Sequence, residues 1–67
     1  MDKQMFAKRL RRLLRTRRKT VKQLADDVGV SRNTMYGWLK GTQLPQTYFL
    51  TQLRRSLECE WDELLGL

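Results

Sequence analysis

Arg32, Asn33, Tyr36, Gly37 and Lys40 fall at i, i+1, i+4, i+5 and i+8, the spacing that lines up one stripe along an α-helix. Their chemistry suits the edges of base pairs. An arginine bridges guanine O6 and N7, an asparagine bridges adenine N6 and N7, and a tyrosine ring lies against a thymine methyl, all from the major groove. Lys40 adds a cation at the end of the stripe. Glycine inside a helix costs about 1 kcal/mol relative to alanine, but at Gly37 on an outward stripe it would let the backbone approach a nucleic acid. The stripe points outward only if Met35, Trp38 and Leu39, at i, i+3 and i+4, point inward. So short a helix must be held from behind by other elements.

Those elements can be read from apolar spacing and capping residues. Phe6, Leu10, Leu13 and Leu14 share one face of a helix over about 3–16, and its other sides are almost all basic. Thr20 and Gln23 are spaced as a capping box, so a second helix starts near 21. Val21, Leu24, Ala25 and Val28 form its apolar stripe, and Gly29 supplies a left-handed stop. Ser31 caps a third helix over about 32–40, only three residues later. A turn this tight forces a large crossing angle, and Ala25 is small where the two helices would crowd. Gly41 ends the third helix, and TQLPQ is a turn-rich connection. Phe49, Leu50, Leu53 and Leu57 mark a fourth helix over about 47–57, and Trp61, Leu64 and Leu65 a short fifth over about 61–65. Trp38 and Trp61 are expected to anchor the core. No stretch alternates with period two for long enough to form a sheet, so the fold class is all-α.

The 67 residues suffice for one domain, residues 1–67, with one modest core. Hydrophobic residues make up 40% and charged residues 31%, a balance that favours folding over disorder. No apolar run approaches the roughly 20 residues of a membrane span, and the start lacks the pattern of a secretory signal. A cytoplasmic setting is expected. Cys59 is the single cysteine and there is no histidine, so neither a disulfide within the chain nor a zinc site of ordinary composition can form. Cys59 is expected to be a buried small apolar group. Asp26 and Asp27 are adjacent and point to different sides of a helix, which makes a poor acid/base pair. No enzyme constellation, metal site, cofactor or small-molecule ligand is indicated.

Charge is more informative. Fourteen Lys and Arg stand against seven Asp and Glu, a formal net charge of +7. Nine of the bases lie in residues 1–19 with Asp2 as the one acid there, whereas residues 58–67 carry Glu58, Glu60, Asp62, Glu63 and no base. One part of the surface should attract polyanions. Arg17, Arg18 and Lys19, next to the start of the second helix, are the candidates among them for phosphate contacts. Membrane binding by the basic first helix is disfavoured because the core needs its apolar face.

The stretch TVKQLADDVGVSRNTMYGWLKG resembles the helix-turn-helix of the phage repressor and Cro class, often called XRE-like. Matching offsets are Thr20, Leu24-Ala25, Val28-Gly29-Val30-Ser31, and Met35, Trp38 and Gly41; Pro45, residues 47–57 and Asp62 to Leu65 extend the likeness to about residues 8–65. The resemblance implies a compact five-helix, lambda-repressor-like domain whose second and third helices form the helix-turn-helix. It places base reading on Ser31, Arg32 and Asn33, with Tyr36 and Gly37 one turn later. It places backbone contacts at Thr20, Val21 and Lys22 and at Lys40, Thr42 and Gln43, although Val21 replaces a commonly polar residue and leaves only its amide for a phosphate.

Other departures from the family are informative. Leu14 and Leu39 stand where many members carry an Arg–Glu pair, and they are expected to pack directly instead. Glu58 stands where a glycine is common, and Glu60 where a cap is common.

The function implied is sequence-specific binding of double-stranded DNA by a transcription regulator, a phage-type repressor acting as a homodimer on an inverted-repeat operator. One recognition helix reads only a few base pairs, so a partner surface is needed; Trp61, Leu65 and Leu67, with the edge of the fourth helix, are the dimerisation candidates. The alternative is a protein-interaction module of antitoxin or antirepressor type.

Overall fold

The computed structural model describes residues 1–66, so Leu67, one of the dimerisation candidates, lies outside the described residues. Five α-helices follow in order: α1 Lys3–Thr16, α2 Val21–Val28, α3 Arg32–Lys40, α4 Thr47–Leu57 and α5 Trp61–Leu65. The fold is all-α, as expected, with no strand among the described residues.

Each short helix is defined by its ends. The Asp2 carboxylate accepts from the amides of Gln4 and Met5 and starts α1. At α2 the capping box is complete: the Gln23 amide donates to the Thr20 hydroxyl at 3.0 Å, and the Thr20 amide donates to Gln23 Oε1 at 2.9 Å. Gly29 ends α2 at φ +85°, a left-handed conformation that costs a residue with a Cβ about 1–2 kcal/mol. Val30 follows, and Ser31 accepts from the Thr34 amide at 3.1 Å to begin α3.

α1 packs on α3 and α5, and α2 packs on α3 and α4, so α3 is held between α1 and α2. Phe6, Ala7, Leu10 and Leu13 are buried from α1, Leu24, Ala25 and Val28 from α2, and Met35, Trp38 and Leu39 from α3. Leu53, Leu57, Cys59 and Leu64 complete the core from the C-terminal part. Leu14 is half-buried against the cluster that contains Leu39. Trp38 also meets Phe49 with ring centroids 5.7 Å apart. Trp61 corrects the sequence expectation: it is 36% exposed, with the Arg54 guanidinium 5.3 Å above its ring, because α5 is a single short turn that can bury only Leu64 fully. Cys59 is buried, and burial pushes its thiol pKa up, as befits an apolar filler.

Glu58 ends α4 at φ +49°, in the position where a glycine would be unstrained. Glu58→Gly removes a left-handed cost of about 1–2 kcal/mol and adds a backbone entropy cost of about 0.5–1 kcal/mol, so a net gain of roughly 0.5–1 kcal/mol is expected. In thermal melts this corresponds to a rise of a few degrees, about 4–8 °C per kcal/mol for a chain this short. An unchanged or lowered midpoint would mean that Glu58 is not strained.

A polar tie joins three segments. Lys19 Nζ lies 2.7 Å from Asp27 Oδ2 and 3.1 Å from Ser56 Oγ, and the Ser56 hydroxyl donates to Asp27 at 2.8 Å. The hydrogen bond from Lys19, then that from Ser56, holds the Asp27 carboxyl below the usual carboxylate range. Its folded pKa is thus below its unfolded one, so this contribution is present above pH of about 4 and is lost as pH falls through the folded value. Urea midpoints measured against pH will show a declining acid limb, and Asp27→Asn will make that limb shallower. Part of it remains, because Glu63 is also shifted down, first by the Glu60 amide and then by Arg17.

Candidate nucleic-acid interface

Both ends of α3 are fixed by groups outside it. At its C-terminal end, Gly41 takes φ +81° and Gln4 Nε2 of α1 donates to the carbonyls of Gly41 at 3.3 Å and Lys40 at 3.5 Å. The Arg11 guanidinium donates to the Leu39 carbonyl, setting a positive charge against the negative end of the helix dipole. At the N-terminal end, Ser31 makes the cap described above and its hydroxyl also meets Thr34 Oγ1 at 3.1 Å. Neither Gln4 nor Arg11 was identifiable from the sequence: each acts on carbonyls 28 or more residues away, and no local pattern encodes that.

On this fixed helix Arg32, Asn33, Tyr36 and Lys40 are exposed, and none makes a side-chain hydrogen bond or ion pair among the described residues. The stripe therefore offers a guanidinium, a carboxamide, a phenol and an ammonium to whatever lies against it. Gly37 does not belong to that stripe. It is buried: the chain folds back after Gly41, the Thr42 and Gln43 amides both donate to the Gly37 carbonyl, and the Gln43 side chain lies 3.1 Å from where a Cβ on Gly37 would be, a tight contact. The glycine makes room for this turn, which corrects the expectation that its backbone is bare.

The residues expected at phosphates divide into two sets. Arg18, Lys22 and Lys40 are exposed; Lys22 pairs with Asp26 at 3.0 Å, both about two-thirds exposed, a contact of about 0–1 kcal/mol that an anion can displace. Thr20 is exposed with its hydroxyl in the capping box, while the Val21 side chain packs on the core. Thr42 and Gln43 are exposed at the turn over Gly37. Arg17 and Lys19 are taken up within the fold. Arg17 Nε donates to the Leu57 carbonyl at 2.9 Å and Nη2 pairs with Glu63 at 3.2 Å, so its head ties α1 to the end of α4 and to α5. Lys19 is committed to Asp27 and Ser56. Both have one cause: a base among tertiary carboxylates and helix-end carbonyls finds partners within the fold, so a phosphate at either would have to compete with them. Asp26 and Asp27 likewise go to separate lysines.

Tyr48, 64% exposed at the start of α4, is a large aromatic that the sequence reading assigned to neither the core nor the interface. No helix among the described residues is long and apolar enough to cross a membrane, and no group of three or more His, Cys, Asp or Glu among them is placed to hold a metal ion.

A family model described as the Cro/C1-type HTH DNA-binding domain matches residues 9–67. No curated protein and no solved structure matches the chain significantly.

Proposed function

The chain belongs to the Cro/C1-type helix-turn-helix DNA-binding domain family, which makes it a DNA-binding domain of a transcription regulator, and from that premise we propose how it reads its site. It binds double-stranded DNA sequence-specifically, with the N-terminal part of α3 in the major groove. Arg32 and Asn33 contact base edges, Tyr36 packs one turn later, and Ser31 holds the helix start. Arg18, Thr20, Lys22, Lys40, Thr42, Gln43 and the Val21 amide meet the flanking phosphates. Two copies sit on an inverted-repeat operator, and occupancy there represses transcription in the manner of a phage-type repressor.

The observation that carries this reading is the exposed set Arg32, Asn33, Tyr36 and Lys40, whose side chains have no partner among the described residues, on a helix held at both ends. Base reading needs side chains free to form new hydrogen bonds and a backbone that does not move while they do.

Selection of bound sequences from a random pool of duplex DNA by the purified chain tests it. An inverted repeat with half-site centres about 10 base pairs apart is expected. Absence of any enriched sequence would overturn base reading and favour a protein partner for this surface.

A further inference from the structure

Two kinds of contact join α3 to the other helices. Its buried residues Met35, Trp38 and Leu39 share one apolar cluster with Phe6, Leu10 and Leu13 of α1 and with Leu24, Ala25 and Val28 of α2. Apolar contact is non-directional, so it holds helices together but sets the turn and slide of one upon another only loosely. Hydrogen bonds are directional. Among the described residues, the side-chain hydrogen bonds that α3 and its Gly41 cap receive from other helices all come from Gln4 and Arg11 of α1.

Both donors fill places that α3 leaves open. The last carbonyls of a helix have no amide of their own. Here the amides that follow α3, those of Thr42 and Gln43, turn back to the Gly37 carbonyl and not to those of Leu39 and Lys40. Arg11 takes the first of these, and Gln4 takes the second together with that of Gly41. Gly41 leaves room for this: Gln4 Nε2 lies 2.5 Å from where a Cβ there would be, so a side chain would displace the carboxamide. Gln4, Arg11 and Lys40 are exposed, so water reaches this end of α3 and can satisfy carbonyls that lose their donors. Water does not fix an angle between α1 and α3.

We infer that Gln4 and Arg11 are positioning residues for base recognition. They act through the α3 backbone and set the pose in which Arg32, Asn33 and Tyr36 meet the base pairs, which a functional constellation needs fixed to within about 0.5 Å. This rests on the reading by α3 proposed above. It adds to the specificity of the chain two residues that lie outside α2 and α3.

The test compares Gln4→Ala, Arg11→Ala and the double variant with the wild-type chain. The quantity measured is the ratio of affinities for the selected duplex and for a duplex changed at one base pair. Partial unfolding weakens both affinities by the same factor, and loss of a phosphate contact weakens all sequences similarly, so neither moves the ratio. A changed pose does. The double variant will lower the ratio by about fivefold or more, the lower end of what a bidentate base contact contributes, and each single variant by less. Arg11→Lys, which keeps a cationic donor, will recover part of the ratio lost in Arg11→Ala. Should the double variant not fold, the single-variant ratios decide.

Ratios equal to that of the wild type throughout, whatever the change in overall affinity, would overturn the inference and leave reading by α3 intact. A wild-type chain that selects no sequence would overturn that reading and this inference with it.

Discussion

Asn33→Ala will lower discrimination at one base pair of the selected site by about 5- to 150-fold while leaving binding to random duplex nearly unchanged. The magnitude follows from the roughly 1–3 kcal/mol that a bidentate side-chain-to-base contact contributes. Asn33 suits this test because it is exposed and its side chain makes no hydrogen bond among the described residues, so its removal leaves the cap at Ser31 and the core intact. Arg32→Ala will behave alike at a different base pair. Lys40→Ala supplies the contrast, weakening all sequences similarly and reducing the slope of log affinity against log salt by about 0.9, the value of one phosphate contact. The measurement is competition binding across single-base variants of the selected site at two salt concentrations. If Asn33→Ala and Arg32→Ala keep the wild-type preference at every position, neither side chain reads a base.

Trp38→Ala will lower unfolding stability by about 3–5 kcal/mol, as for other aromatic truncations in a packed core. Trp38 is 2% exposed and touches Phe49, on the side of α3 that faces away from Arg32, Asn33, Tyr36 and Lys40. A chain of this length has roughly 3–10 kcal/mol in total, at about 0.05–0.15 kcal/mol per residue. A large fraction of Trp38→Ala molecules will thus be unfolded at 37 °C, and affinity for all sequences will fall together with helix content. This differs from Asn33→Ala, where preference is lost and the fold is kept. Trp38→Phe refills much of the volume and will recover most of the urea midpoint. A Trp38→Ala chain that melts at the wild-type midpoint would show that α3 is not held by its buried face.

The five helices were legible because their signals are local. Thr20 with Gln23, Gly29, Ser31 and Gly41 act on atoms within a few residues, and each takes the capping role or the left-handed conformation that its type and spacing call for. The apolar faces were legible for a related reason, since helical periodicity fixes which residues share a side before any partner is known. Trp61 was misread because an apolar residue on a five-residue helix has no guaranteed cover, and Leu64 takes the interior position.

The amino-acid sequence by itself determined the helices, their caps, the inward set Met35, Trp38 and Leu39, and the outward side chains Arg32, Asn33, Tyr36 and Lys40. Only the tertiary structure decided which charges remain available to a ligand. Arg17, Arg18 and Lys19 are three consecutive bases, yet Arg17 is spent on Leu57 and Glu63, Lys19 on Asp27 and Ser56, and Arg18 is left exposed. Gly37, likewise, is covered by a turn that returns over it. The physical reason is range: backbone periodicity and capping depend on neighbours in the chain, whereas a long flexible cation or a bare glycine takes its role from groups that only the packing of distant segments brings within about 3 Å.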